Sequence, residues 1–401
     1  MDITLRRFIG SDGERFSVLV DKEGMPLFYP TLFSTWVLRA SSKAANTITN
    51  SLNALKALCA WEERVGVQLE SMFSRSELLD QNQIRDLCDF LQRSLLTDKG
   101  KKVTSLRRKP KVVSASTHYF RLTVVANYVE FLAHRVAPQL DATRITKMVV
   151  SIKAHRPGKP YKSDPDRDEI YLSEEVIQVI QDALKPDSPK NPARDYGIQM
   201  RNALMFFILK LTGVRRGELL NLRVSDFDFG ANTMAVVRRP DSPRDTRRHQ
   251  PTAKTLPRLL RIAPSLIKQI KDYVVDHRRG VPGAKRHDYL FVTHKAGPTQ
   301  GAPMSLGAFN KWIGLIAEIV DGAGFHGHAL RHNWNYQFSK LADERGYTPE
   351  EEEKTRSYWM GWSETSGTAA TYNHRHTKEK AQQAGLELQE RYYQSQEGEE
   401  S

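Results

Sequence analysis

The chain has 401 residues, with 60 Lys and Arg against 47 Asp and Glu and a formal net charge of +13. That length predicts two or three domains, and 39% apolar with 27% charged residues supplies real cores, which excludes a disordered polyelectrolyte. No apolar run reaches the roughly 18 residues that span a bilayer. The N-terminus lacks the apolar stretch of a signal peptide, and the two cysteines, Cys59 and Cys88, cannot form a disulfide framework, so a reducing cytoplasmic location without a membrane is expected.

Residues 1–39 form an N-terminal extension with strand-like alternations at Ile3–Ile9 and Phe16–Val20, then irregular chain around Gly24-Met-Pro and Tyr29-Pro. Helical patterns follow at 42–65, 76–96, 114–136 and 141–154. The first carries Ile48, Leu52, Leu55, Leu58 and Trp61 as one stripe suited to burial. Between the second and third lies a basic loop with Lys101, Lys102, Arg107, Arg108, Lys109 and Lys111. Residues 101–162 hold 14 Lys or Arg against only Glu130 and Asp141, so this stretch concentrates nearly the whole excess charge. Such density points to a polyanion partner, most simply nucleic acid, against the alternative of a merely solvated face. Residues 40–155 therefore read as a helical, DNA-facing domain.

Residues 156–168, rich in Pro and charge, read as a linker, 169–380 as a second domain, and 381–401 as a tail. In the second domain Ser173 caps a helix running to Leu184, and an apolar helix over 202–211 is stopped by Gly213. Residues 233–262 alternate like strands around an arginine-rich hairpin. Helices are expected at 265–278, 306–320, 329–345 and 349–358, with a further helical stretch at 379–393.

Three motifs stand in order along this second domain. Thr212-Gly-Val-Arg-Arg-Gly-Glu places Arg215 at a helix start with Glu218 three residues on. His326-Gly-His-Ala-Leu-Arg-His places His328 and Arg331 on one helix face, where an imidazole and a guanidinium can address one oxyanion. His328 and His332, four apart, also invite a metal reading. Against it stand the absence of a neighbouring Cys or carboxylate with ligand spacing and the cation of Arg331. Met360-Gly-Trp-Ser is followed, ten residues beyond Trp362, by Tyr372. Each motif alone is weak; their order over some 160 residues resembles the tyrosine recombinase, or phage integrase, family.

The resemblance covers residues 170–380. It implies a fold that is mainly α with a small β-sheet or hairpin, a helical core-binding domain plus a mixed α/β catalytic domain. It implies catalytic roles for Arg215, Lys254, His328, Arg331, Trp362 and Tyr372, with Tyr372 as nucleophile and Glu218 and His332 in support. Lys254 enters as the family's hairpin lysine, flanked by Arg247, Arg248 and Arg258 as DNA contacts beside the basic loop. Two features depart from the family pattern: the interval from Trp362 to Tyr372 is one residue longer than usual, and Arg216 follows Arg215 directly.

The implied activity is site-specific DNA recombination through a 3' phosphotyrosine, serving integration, excision or movement of a mobile element, with no metal and no cofactor. Implied partners are double-stranded DNA, three further copies in a homotetramer on two DNA sites, and an accessory directionality or DNA-bending protein. A non-catalytic DNA-binding protein of the same fold and a type IB topoisomerase-like enzyme are the competing readings. A binder, however, has no need of a nucleophile.

Overall fold

The N-terminal alternation is a β-hairpin in the computed structural model, which describes residues 3–41, 43–94, 112–158, 172–322, 324–363 and 380–392. Strands β1 (Thr4–Ile9) and β2 (Arg15–Val20) pair antiparallel, with Phe8 opposite Phe16 and their rings stacked 5.0 Å apart. Gly13 takes a left-handed φ of 86° that the tight reversal requires. Contacts divide the chain into two compact units, Met1–Ser163 and Asp164–Ser401.

The first unit is a helical cluster. Helix α1 (Phe28–Phe33), continued by a wider turn over Ser34–Arg39, occupies chain that Gly24, Pro26 and Pro30 marked as irregular. Pro30 sits in the first turn, where its missing N–H has no intrahelical partner to lose. Helix α2 (Ala45–Val65) ends at Gly66 with φ 70°, and α3 (Leu69–Ser74) follows. Ser76, at φ 60°, breaks the chain out of helix. Helix α4 (Gln81–Leu91) therefore starts later than the sequence pattern suggests, in a reciprocal capping box between Asp80 and Gln83. Ser114 and Asp141 cap α5 (Ala115–Val136) and α6 (Ala142–Ala154).

The stripe Ile48, Leu52, Leu55, Leu58 and Trp61 is buried against Phe73, Leu87, Val125, Val129 and Ile152. The stretch expected as an extension contributes Ile3, Leu19 and Phe33 to this same core. The basic residues Lys101, Lys102, Arg107, Arg108, Lys109 and Lys111 lie outside the described residues.

The second unit begins with α7 (Glu174–Leu184), capped by Ser173, and α8 (Tyr196–Thr212), which Gly213 ends at φ 64°. A short helix α9 (Arg216–Leu219) follows directly. Strands β3 (Phe227–Asp228), β4 (Thr233–Val236) and β5 (Arg258–Arg261) form one antiparallel sheet in that order. Then come α10 (Pro264–Asp272), prolonged by a wide turn over Tyr273–Arg278, α11 (Leu306–Ile319), α12 (Ala329–Glu344), α13 (Pro349–Met360) and a helix α14 over 380–392. Helix α8 is the central element: Leu204, Met205, Phe206, Ile208 and Leu209 are buried among residues from β4, β5, α10, α11 and α12. No helix among the described residues is long and apolar enough to cross a membrane.

One buried polar contact sets a pH limit on this unit. Tyr273 Oη lies 3.0 Å from His294 Nε2, and burial, followed by the charge of Arg201, pushes the His294 pKa down to about 4. An imidazole whose folded pKa lies below its ordinary 6.5 contributes stability that is complete above pH 6.5 and is lost as pH falls toward 4. Denaturant melts at pH 7.5 and pH 4.5 are expected to show a smaller loss on acidification for His294→Gln than for the unaltered protein. Equal losses would remove His294 from the pH response.

Candidate functional site

The site is built on the C-terminus of α8. A helix leaves its last carbonyls without intrahelical partners, and here three consecutive ones are taken by side chains from distant elements. Trp334 Nε1 donates to Leu211 O at 3.1 Å, Trp359 Nε1 to Thr212 O at 2.9 Å, and Arg331 Nη1 to Gly213 O at 2.6 Å. Trp334 and Trp359 stack at 5.6 Å, nearly parallel. The first motif is thereby tied to α12, which carries the second, and to α13, which leads into the third. Arg331, 2% exposed, sets its cation against the negative end of the α8 dipole. Its guanidinium carbon lies 5.4 Å from the Trp362 ring centre, so Trp362, itself 6% exposed, packs the floor beneath it.

Arg215 is the N-cap of α9, two residues beyond Gly213. Its backbone N–H donates to Glu218 Oε2 at 2.9 Å, and its Nη1 lies 3.8 Å from Glu218 Oε1. Glu218 is fully enclosed and is the hub of a second network. Arg258 Nη2 donates to Glu218 Oε2 at 3.0 Å and Arg258 Nε to Trp359 O at 2.6 Å, while the Thr255 hydroxyl donates to Glu218 Oε1. Burial alone would raise the Glu218 pKa; the charge of Arg258 and the hydrogen bonds from Arg258, Thr255 and the Arg215 N–H hold it below the ordinary carboxylate value.

This network also sets the loop that carries Lys254. Ala253 and Thr255 are buried while Lys254 between them is exposed, so the two neighbours anchor the loop and the amine faces solvent. A Cβ on Gly217 would stand 2.7 Å from Thr252 O, so glycine there admits the loop against α9. Leu256 N donates to Gly361 O at 2.9 Å. Gly361 has φ 67°, and a Cβ on it would meet Leu256 O at 2.8 Å, so both backbone conformation and close approach demand glycine. Lys254 lies on irregular chain ahead of β5.

His328 is the N-cap of α12 and accompanies the two arginines. Its pKa is lowered by lost hydration first, then by the charges of Arg215 and Arg331, with smaller contributions from His326 and Arg216. At neutral pH the ring is consequently a neutral base. His332, one turn on, is pushed down to about 4, by lost hydration and then by His326 and His328. Among the described residues no group of three or more His, Cys, Asp or Glu is arranged to hold a metal ion.

Two of the expected DNA contacts have partners within the protein. Arg247 is enclosed: it pairs with Asp245 and its Nη1 donates to Leu220 O and Met304 O at 2.9 and 3.0 Å. Arg258 is spent on Glu218, Thr255 and Trp359 O. Strand β5 alternates, with Arg258 and Leu260 inward and Leu259 and Arg261 outward. Arg248 is exposed. Tyr372 lies outside the described residues. Sequence reading missed Thr255, Trp334 and Trp359. A usable signal was that three of the chain's six tryptophans, Trp334, Trp359 and Trp362, fall within or beside the second and third motifs.

A model of the phage integrase family matches residues 171–379, more than half of the chain. The chain belongs to the phage integrase family. These integrases are tyrosine recombinases, and several solved structures match the chain at low identity. The Tn1549 transposon integrase in complex with transposon right end DNA matches at 13% identity and a TM-score of 0.50, covering 87% of this chain and 99% of that one. XerA recombinase matches at 18% identity and 0.37, covering 89% and 97%, and a lambda integrase dimer bound to a COC' core site at 12% and 0.47, covering 86% and 93%. No curated protein matches the chain. The integrase-family match begins where the second unit's described residues begin and runs past α13, so it contains the whole of the site built on α8.

Proposed function

We propose that this integrase-family protein is a site-specific DNA recombinase that cleaves and rejoins strands through a 3' phosphotyrosine at Tyr372. The observation that carries this reading is the bond from Arg331 Nη1 to Gly213 O, 118 positions earlier, which brings a second guanidinium to the turn holding Arg215. A phosphodiester repels nucleophiles, and attack gathers negative charge on its non-bridging oxygens. Two fixed guanidiniums answer that charge, each forking hydrogen bonds while staying protonated at any working pH.

In the forward step the Tyr372 oxygen bonds to phosphorus, its proton passes to neutral His328, and the bond from phosphorus to the 5' oxygen breaks. Lys254 gives that oxygen a proton, leaving a free 5' hydroxyl. Rejoining reverses each transfer with a 5' hydroxyl from another strand. Each proton transfer contributes on the order of 10²- to 10⁴-fold. The phenolate leaving group keeps the energy of the broken bond in the covalent intermediate, so no metal or nucleotide enters the balance. Glu218 holds the Arg215 backbone and the Lys254 loop in one frame, and Trp362 packs beneath Arg331.

The partners in this reading are two DNA sites, a homotetramer assembled on them, and an accessory directionality or DNA-bending protein. The setting is integration, excision or movement of a mobile element. The basic loop from Lys101 to Lys111 and the exposed Arg248 supply backbone contacts. The test is a covalent trap on DNA from the gene's own flanks, nicked so that the cleaved 5' end diffuses away. An adduct with the unaltered protein and none with Tyr372→Phe, both binding the DNA, is expected. Binding without any adduct would favour a non-catalytic role.

A further inference from the structure

In the second unit, several arginines are held by carboxylates and Arg216 by a neutral group. Arg239, Arg247, Arg258 and Arg356 each pair with a carboxylate, from Asp226, Asp245, Glu218 and Glu352 respectively. Arg216 is instead oriented by an amide: its Nη1 donates to Asn310 Oδ1 at 2.7 Å, and among the described residues no carboxylate forms an ion pair with it. An amide oxygen fixes the direction of a guanidinium without cancelling its charge, and a single bond leaves four of the five donors unspent. The half-exposed Arg216 therefore stands, next in sequence to Arg215, as an aimed cation that no carboxylate among the described residues pairs with.

Its location is equally specific. Arg216 follows Arg215 directly, and its charge reaches His328. Asn310 is exposed on α11, one residue after Phe309, whose ring packs beneath the 326–328 turn near Gly327. The seam between α9 and α11 is held from within by Arg247, which bonds Leu220 O at the end of α9 and Met304 O just before α11. A rigid seam with a fixed planar cation at its mouth suits one further phosphate of a polyanionic strand, adjoining the phosphate that Arg215 and Arg331 address.

We infer that Arg216 and Asn310 form a second phosphate-binding position for the DNA backbone beside the reacting phosphate, with Asn310 as the residue that positions the guanidinium. This rests on the proposed function for the identity of the strand, and on the α9–α11 geometry for the site. The experiment measures affinity of the full-length protein for a random-sequence duplex across a salt series, with covalent trapping run in parallel. Arg216→Ala is expected to reduce the slope of log affinity against log salt by about 1, the share of one phosphate contact, and Arg216→Lys to keep it. Asn310→Asp, which supplies the missing carboxylate, is expected to reduce the slope by the same amount, with no further drop in the double variant. Unchanged slopes in both Arg216→Ala and Asn310→Asp would overturn the inference, whether or not the adduct forms. A reduced slope without any adduct from the unaltered protein would uphold this phosphate position and count against the phosphotyrosine chemistry alone.

Discussion

Arg331→Lys is expected to slow covalent attachment to DNA by about 10²- to 10³-fold, the loss seen when one preorganised donor to a developing oxyanion is removed. Arginine at this position does two jobs at once. One arm bonds Gly213 O and caps the α8 carboxyl end, and the plane thereby fixed lies over Trp362. A lysine ammonium keeps the charge but is a point rather than a fork, so it can serve Gly213 O or a phosphate oxygen but not hold both in one plane. DNA affinity should change far less than the cleavage rate, because most binding comes from backbone contacts spread over the protein. Single-turnover cleavage at saturating protein separates the two quantities. A lysine variant that cleaves within about threefold of the unaltered rate would remove Arg331 from the transition state.

Arg258→Ala is expected to cost about 3–5 kcal/mol of folding stability, because it leaves the enclosed Glu218 carboxylate without its nearer cation. The same change frees Trp359 O and loosens the anchor of the Lys254 loop at Thr255. The pH dependence follows from the direction of the Glu218 shift. A carboxyl whose folded pKa lies below 4.5 contributes stability that is present above that value and disappears as pH falls below it. The cost of Arg258→Ala should accordingly be largest near neutrality and shrink in acid. Pairing Arg258→Met with Glu218→Gln should recover part of the loss, since the buried charge is then gone from both sides. Denaturant unfolding of the two singles and the double checks this; additive losses would mean that the two side chains are not coupled.

The contrast between these two arginines shows what the sequence carries and what it does not. Local rules were readable: Ser114 and Asp141 as helix starts, Ser173 as a cap, Gly213 as a helix stop, and the Ile48 to Trp61 stripe as a buried face. The order of the three motifs was readable too, and the family match covers the same residues. The inward face of Arg258 was not readable, because RLLR alternates equally well in either register. Which face is buried is decided by Glu218, 40 positions away, which a local pattern cannot contain. The enclosure of Arg247 was hidden for the same reason, since its partners include Met304 O, 57 positions on. The helix over Phe28–Phe33 was hidden by Pro30, which marks a break in a helix interior but is tolerated in a first turn. Trp334 and Trp359 passed unnoticed because capping of α8 carbonyls by indole N–H groups from α12 and α13 is a tertiary event with no local signature.

The measurement that tests the central claim most directly is identification of the attached residue itself. Protein trapped on nicked flanking DNA is digested with protease and nuclease, and the nucleotide-linked peptide is sequenced by mass spectrometry. The account predicts a nucleotide on Tyr372 and on no other side chain. Attachment at the 66%-exposed Tyr358 of α13, or at a serine, would contradict it and would require the roles around Arg215, His328 and Arg331 to be assigned again.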